Sequence, residues 1–203
     1  MSLPEGAPEY KLEPLLLEKN PKGVVPVIVA QWPDGKEEII TESIDCVEYL
    51  DKLGENAGLG APPLVPRTDE AGRTKIREAA EKHGASMGTF MKALMKFDSE
   101  AVEKMVEEFE QFSDESKGPF YTGDNLSLVD ITVYPVASRL TMLQKLRGPD
   151  FAVTLDKYPQ LEDFFRWLQK MSELDAVKKA TEPDAYLVPV HLRHLKVKHA
   201  VGF

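Results

Sequence analysis

The sequence predicts a chain in two parts, a short α/β segment followed by an all-helical domain. Three observations carry this. Two short apolar runs near the start are joined through an Asp-Gly pair. A Gly- and Pro-rich stretch without periodicity follows. Beyond it, apolar residues recur every three or four positions almost to the end. On this basis the α/β part spans residues 1–58, a linker 59–66 and the helical part 67–203.

Residues 24–30 and 37–41 read as strands joined by Trp32-Pro33-Asp34-Gly35, a strong hairpin signal. Pro26 interrupts the first of them, and proline has no N–H to donate to a sheet. A helix opens near Ser43, with Ile44, Val47 and Leu50 spaced to share one face. The run GENAGLGAPPLVPR then reads as the interdomain connection.

Past Arg67, Ile76, Ala80, His83, Met87, Phe90 and Leu94 step along one stripe of a single long helix. SEAVEKMVEEFEQFSD predicts a second helix, with Val102, Met105, Val106 and Phe109 inward and its acids outward. DNLSLVDITVYPVASRLTMLQKLRG predicts a third. Ser127 and Asp130 open it in the manner of a capping box, and it is apolar on nearly every side, as a buried helix must be. Tyr158-Pro159 opens a fourth, with Leu161, Phe164, Phe165, Trp167 and Leu168 apolar.

Composition narrows the function. The chain has 42% hydrophobic and 29% charged residues, which describes a globular rather than a disordered protein. No apolar run approaches the ~20 residues of a spanning helix, so no membrane role is expected. The opening MSLPEGAPEYKLEP lacks the apolar core of a secretory leader. One cysteine rules out an internal disulfide and points to a reducing, cytoplasmic setting. With 25 basic against 34 acidic residues the net charge is −9, which argues against nucleic acid and for a small ligand or a protein partner.

Five motifs in order carry a family resemblance: Asn20-Pro21-Lys22-Gly23-Val24-Val25-Pro26-Val27, then Glu42-Ser43-Ile44 with Tyr49-Leu50, Pro63-Leu64-Val65-Pro66, Gly123-Asp124-Asn125-Leu126-Ser127-Leu128-Val129-Asp130, and Tyr158-Pro159-Gln160-Leu161 with the helix through Trp167. Together they resemble a cytosolic glutathione transferase, most similar to the omega class and its thiol-transferase relatives. The resemblance implies a glutathione transferase fold, with part of a thioredoxin-like domain before an all-helical one. It implies a cis bond before Pro26, so that Val25 offers its backbone to the cysteinyl part of glutathione as a strand would. It also implies that Ser43 and its N–H receive the γ-glutamyl carboxylate at a helix N-terminus, while Glu42 receives the ammonium. Read alone, Ser43 is more readily an N-cap and Glu42 an exposed acid before a helix than parts of a binding site.

The omega-like enzymes place a reactive cysteine at the end of their first strand, where a helix N-terminus lowers its pKa. Only 19 residues precede Asn20, whereas a βαβ unit takes about 30. The first strand and helix are therefore expected to be absent from this chain, which leaves the strand at 24–30 with an unpaired edge. A truncated product, a reduced sheet held by the helical domain, and a strand supplied by a partner are the three explanations. No catalytic residue is assigned. Cys46, inside the helix that starts at Ser43, reads as a small buried residue rather than a nucleophile.

The implied activity is glutathione-dependent thiol transfer: reduction of mixed disulfides or dehydroascorbate, or conjugation to an electrophile. Glutathione is then the co-substrate, a small electrophile or disulfide the partner, and a homodimer the assembly. The alternative is a non-catalytic module of the same fold used for interaction or scaffolding. Met87, Met91 and Met95 with Phe90 read as core packing in preference to a second-substrate pocket. His83 reads as a packed residue. Lys11 lies near a glutathione-contacting lysine of the omega class, but the local spacing does not match and it is not assigned. His191 and His194 lack a third ligand, so no metal site is expected; the basic tail is expected to pack across the acidic body.

Overall fold

The computed structural model describes residues 14–181 and 186–189. The chain divides into two compact units, Met1–Ala61 and Pro62–Phe203. Lys11, His191 and His194 lie outside the described residues.

In the first unit a one-and-a-half-turn helix, α1 (Pro14–Lys19), precedes β1 (Val27–Gln31) and β2 (Glu37–Thr41). No periodic pattern in the sequence predicts this helix; it starts on Pro14, whose missing N–H costs nothing in a first turn. The strands pair antiparallel in the register Val27↔Thr41, Val29↔Ile39, Gln31↔Glu37. Gly35 (φ 84°) supplies the left-handed residue of the connection, and Asp34 accepts from the Lys36 N–H at 3.0 Å. Strand pairing starts at Val27, not Val24. Proline at 26 cannot donate to a ladder, and residues 24–26 stay outside the sheet.

Among the described residues the sheet has only these two strands, and the cross-strand pair Val29 and Ile39 is 38% and 42% exposed. Helix α2 (Ser43–Asn56) runs three residues into the stretch read as a connection. It buries Cys46 and Glu48, leaves Ile44 and Val47 half-buried and exposes Leu50, so its inward face is rotated from the one the spacing suggested.

The second unit is helical. Val65 is buried in it, and Leu64 O accepts from Leu128 N at 3.0 Å. The single long helix expected through Leu94 is two helices, α3 (Glu70–Gly84) and α4 (Ser86–Lys96), parted at Ala85. Ser86 turns its hydroxyl back to His83 O at 2.8 Å, competing with the backbone ladder at the break. Gly84 lets α6 come close, since a Cβ there would stand 2.6 Å from Thr132 Cγ2.

Past this break the buried face is not the predicted stripe. Met87, Met91 and Met95 share an exposed stripe of α4, while Phe90 and Leu94 enter the core; the core reading of the three methionines is thereby overturned. Their four-residue spacing keeps them on one face, and it is not the face that Phe90, Ala93 and Leu94 bury.

Helix α5 (Glu100–Glu115) buries Val102, Met105, Val106, Phe109 and Phe112. The expected third helix is also divided, into α6 (Leu128–Ala137) and α7 (Leu140–Arg147). Pro135 cannot donate to Ile131 O and crowds it, and α6 ends two residues later. A short 3₁₀ turn at Pro159–Leu161 leads into α8 (Glu162–Glu173), and α9 (Asp175–Ala180) follows. The core centres on Phe109 stacked on Phe164 at 4.2 Å and on Phe112 against Trp167 at 4.7 Å.

Candidate functional site

The hairpin register brings the two halves of the Val25-Pro26 and Glu42-Ser43 constellation together. Val27 is the rung partner of Thr41, so Pro26 and Glu42 flank the same rung from adjacent strand ends. The Val25–Pro26 bond is cis. Val25 is 75% exposed, and Pro26, Glu42 and Ser43 are exposed too, so all four residues face solvent at one corner of the first unit.

Glu42 has φ 69°, a left-handed backbone that non-glycine residues seldom adopt. It sits at the N-terminus of α2, whose first turn no side chain caps. Amides at such an end, with the dipole behind them, attract an anion. The Glu42 carboxylate instead reaches Lys22 Nζ at 3.0 Å, an exposed pair worth little in stability.

Two contributors to this corner were not singled out from the sequence. Asn20, 4% exposed, donates from Nδ2 to Val24 O at 2.8 Å and accepts from Lys22 N at 3.2 Å. It folds the Lys22-Gly23-Val24 loop back and so sets where Val25 emerges. Lys22 then ties that loop to Glu42. The signal available for both was the Asn-Pro-Lys-Gly turn composition.

Cys46 contributes no chemistry here. It is buried, its thiol lies 3.5 Å from Ile40 O, and burial pushes its pKa up, away from the reactive thiolate. It is the sole cysteine of the sequence. No group of three or more metal-ligating side chains occurs, and no helix is long and apolar enough to cross a membrane, among the described residues.

The second unit holds two polar clusters. In the first, the fully buried Asp130 accepts from Ser127 N (2.8 Å), Ser127 Oγ (2.7 Å), Tyr121 N (2.9 Å) and Trp167 Nε1 (2.8 Å). It joins the start of α6 to the preceding loop and to α8. In the second, Glu115 accepts from Tyr121 Oη and lies against His83 Nε2, both at 3.0 Å, with Lys82 on its other oxygen. His83 is packed, as its place in an apolar stripe suggested, with its ring edge-on to Phe112 and Tyr121.

Burial alone would raise the Glu115 pKa, but the hydrogen bonds from Lys82, His83 and Tyr121 outweigh it and bring it to about 2. Burial lowers the His83 pKa, against the pull of Glu115. Both shifts act with one sign. The unfolded chain takes up protons first, at His83 as pH falls through 6.5 and at Glu115 as it falls through 4.5, and folding stability is lost in turn.

For Glu115 the loss between pH 5 and pH 2 is roughly 1–2 kcal/mol, since the carboxylate keeps partial solvent contact and is screened. Urea unfolding at pH 7, 5 and 3 should show a falling midpoint, and Glu115→Gln should flatten the step below pH 5. An unchanged slope in that variant would mean that Glu115 is not the group responsible.

An α/β unit whose exposed corner stands beside an uncapped helix, joined to a helical unit built on a capped core helix, is the arrangement of a two-domain glutathione transferase. The glutathione S-transferase N-terminal domain family matches residues 4–53 and the glutathione S-transferase C-terminal domain family residues 84–183. Together these matches span most of the chain, and the chain belongs to the glutathione transferase family.

Among known proteins, pyrimidodiazepine synthase of Drosophila melanogaster is 30% identical over 162 residues, covering 80% of this chain and 63% of that protein. The chain thus spans less than two thirds of that relative's length. Maleylacetoacetate isomerase maiA of Aspergillus fumigatus is 26% identical over 185 residues, covering 81% of this chain and 72% of that protein. The crystal structure of glutathione transferase Omega 3C from Trametes versicolor superposes with a TM-score of 0.65 at 24% identity, over 91% of this chain and 76% of that one.

Proposed function

We propose that this chain binds glutathione at the Val25, Pro26, Glu42, Ser43 corner and serves omega-like, glutathione-dependent thiol transfer. The thiol transfer is reduction of mixed disulfides or of dehydroascorbate, or conjugation to a small electrophile. The supporting observation is the register that sets an exposed Val25 backbone beside the uncapped, left-handed start of α2. In this reading the cysteinyl segment of glutathione lies along Val25 as an added strand. The γ-glutamyl carboxylate is held by Ser43 and the α2 amides, and its ammonium by Glu42, which gives up Lys22. Homodimerisation and a cytoplasmic location belong to the same reading and rest on the family resemblance.

Titration calorimetry with reduced glutathione tests the site. Wild type should bind saturably, and Glu42→Ala should weaken binding about tenfold, the cost of one charge-assisted contact at a partly exposed position. No detectable binding at millimolar glutathione, or a Glu42→Ala curve that overlays wild type, would remove the assignment.

One observation favours the second reading, a non-catalytic interaction module of this fold. The only cysteine is buried with its thiol pKa raised, so the chain offers no ready thiolate. Saturable glutathione binding without turnover of a glutathione mixed disulfide would select that reading. Turnover would exclude it.

A further inference from the structure

The start of α2 is by itself a poor seat for an anion. Glu42 precedes the helix and Asp45 lies in its first turn, so two carboxylates stand within one turn of the amides. The macrodipole sets only about half a positive charge against them. A ligand carboxylate placed there needs a cation close by, and Lys22 supplies one, its Nζ 3.0 Å from Glu42 Oε1. Lys19, the other lysine of this segment, is taken by Glu37 at 2.6 Å, at the turn end of the hairpin.

Lys22 stands on a fixed base. Its N–H donates to Oδ1 of the buried Asn20 at 3.2 Å, and the next N–H, of Gly23, donates to Asn20 O at 2.8 Å. The side chain above that turn is 73% exposed and reaches Glu42 and no other charged group among the described residues. An exposed pair holds weakly, so Lys22 exchanges partners at little cost.

The γ-glutamyl end of glutathione carries its ammonium and carboxylate on one carbon, with the charges about 3 Å apart. Glu42 and Lys22 present the opposite pair of charges at the same spacing. We infer that Lys22 is a specificity-determining residue of this corner. When glutathione binds, the ligand ammonium takes the place of Lys22 on Glu42, and Lys22 turns to the γ-glutamyl carboxylate beside Ser43. One internal ion pair is exchanged for two with the ligand, and no charge is left alone. The corner then selects an intact α-amino acid head over a ligand that carries only its amine or only its carboxylate. This rests on the glutathione reading of the corner, and the two fail separately in the test below.

The test is calorimetry on the full chain with three ligands, in low-salt buffer, where exposed contacts are least screened. The ligands are reduced glutathione, glutaryl-Cys-Gly, which lacks the ammonium, and 4-aminobutyryl-Cys-Gly, which lacks the γ-glutamyl carboxylate. All three keep the cysteinyl and glycyl parts. Lys22→Gln should weaken glutathione and glutaryl-Cys-Gly by about three- to fivefold, the most that one exposed charge contact provides. It should leave 4-aminobutyryl-Cys-Gly unchanged or slightly tighter, since Glu42 has lost its competitor. That titration also controls for folding, because a variant that has lost the corner loses this ligand too. Lys22→Arg should keep most of the wild-type affinity. Glu42→Ala should show the mirror pattern, with a loss for glutathione and 4-aminobutyryl-Cys-Gly and none for glutaryl-Cys-Gly.

An equal loss of all three ligands in Lys22→Gln would be a general surface-charge effect and overturns the inference. A glutathione affinity that is unaltered or improved in Lys22→Gln overturns it as well. In either case a glutathione affinity still weakened by Glu42→Ala leaves the corner itself standing. A wild-type chain that binds no glutathione overturns both.

Discussion

Replacing Asp130 by alanine is expected to destabilise the helical unit by about 3–5 kcal/mol, because it strands donors that burial keeps from water. Four groups lose their acceptor at once: Ser127 N, Ser127 Oγ, Tyr121 N and Trp167 Nε1. They come from the loop before α6, from α6's own cap and from α8, so the loss loosens three segments together. Thermal unfolding followed by circular dichroism should show a drop on the order of 10 °C or more. Asp130→Asn should recover only part of it, since its amide nitrogen cannot accept from the Ser127 N–H and hydroxyl. A drop below about 3 °C for the alanine variant would mean that water replaces the carboxylate freely and that Asp130 is no structural hub.

The second large effect separates two adjacent phenylalanines. Phe164→Ala should cost about 3–5 kcal/mol, the usual range for an aromatic removed from a tight core. Its ring is fully buried, stacked on Phe109 at 4.2 Å and edge-on to Phe112. Phe165, one position on and half-buried, should cost less than half as much when changed to alanine. Parallel urea titrations of the two variants would reveal this. Equal costs would contradict the packing described for α8.

That pair shows how far the sequence could be read. Phe164, Phe165, Trp167 and Leu168 all looked apolar and helical, and helical spacing alone could not say which of them point inward. Only the neighbours on α5 decide it. The same limit explains Leu50, spaced to be inward on α2 yet exposed, and the three methionines of α4. Periodicity gives a face up to a rotation, and past the break at Ala85 a different rotation is buried.

The corner proposed for glutathione was more legible, for a local reason. Val25-Pro26 and Glu42-Ser43 flank the two strands at the open end of one hairpin, and its Asp-Gly turn limits the register to within a few residues. Pairing Val27 with Thr41 then brings the two motifs together without help from the rest of the chain. Asn20 and Lys22 belong to the first motif, but their roles are contacts across a loop, which no spacing rule encodes.

By itself, then, the sequence determined what short-range physics controls: the α/β-then-helical order, the hairpin, the capped start of α6, and the family those motifs point to. The tertiary structure alone decided the breaks at Ala85 and after Pro135, the inward faces of α2, α4 and α8, and the gathering of donors on Asp130 and Glu115. These depend on groups far apart in the chain competing for the same buried volume and the same few acceptors, and that competition is settled only when the helices meet.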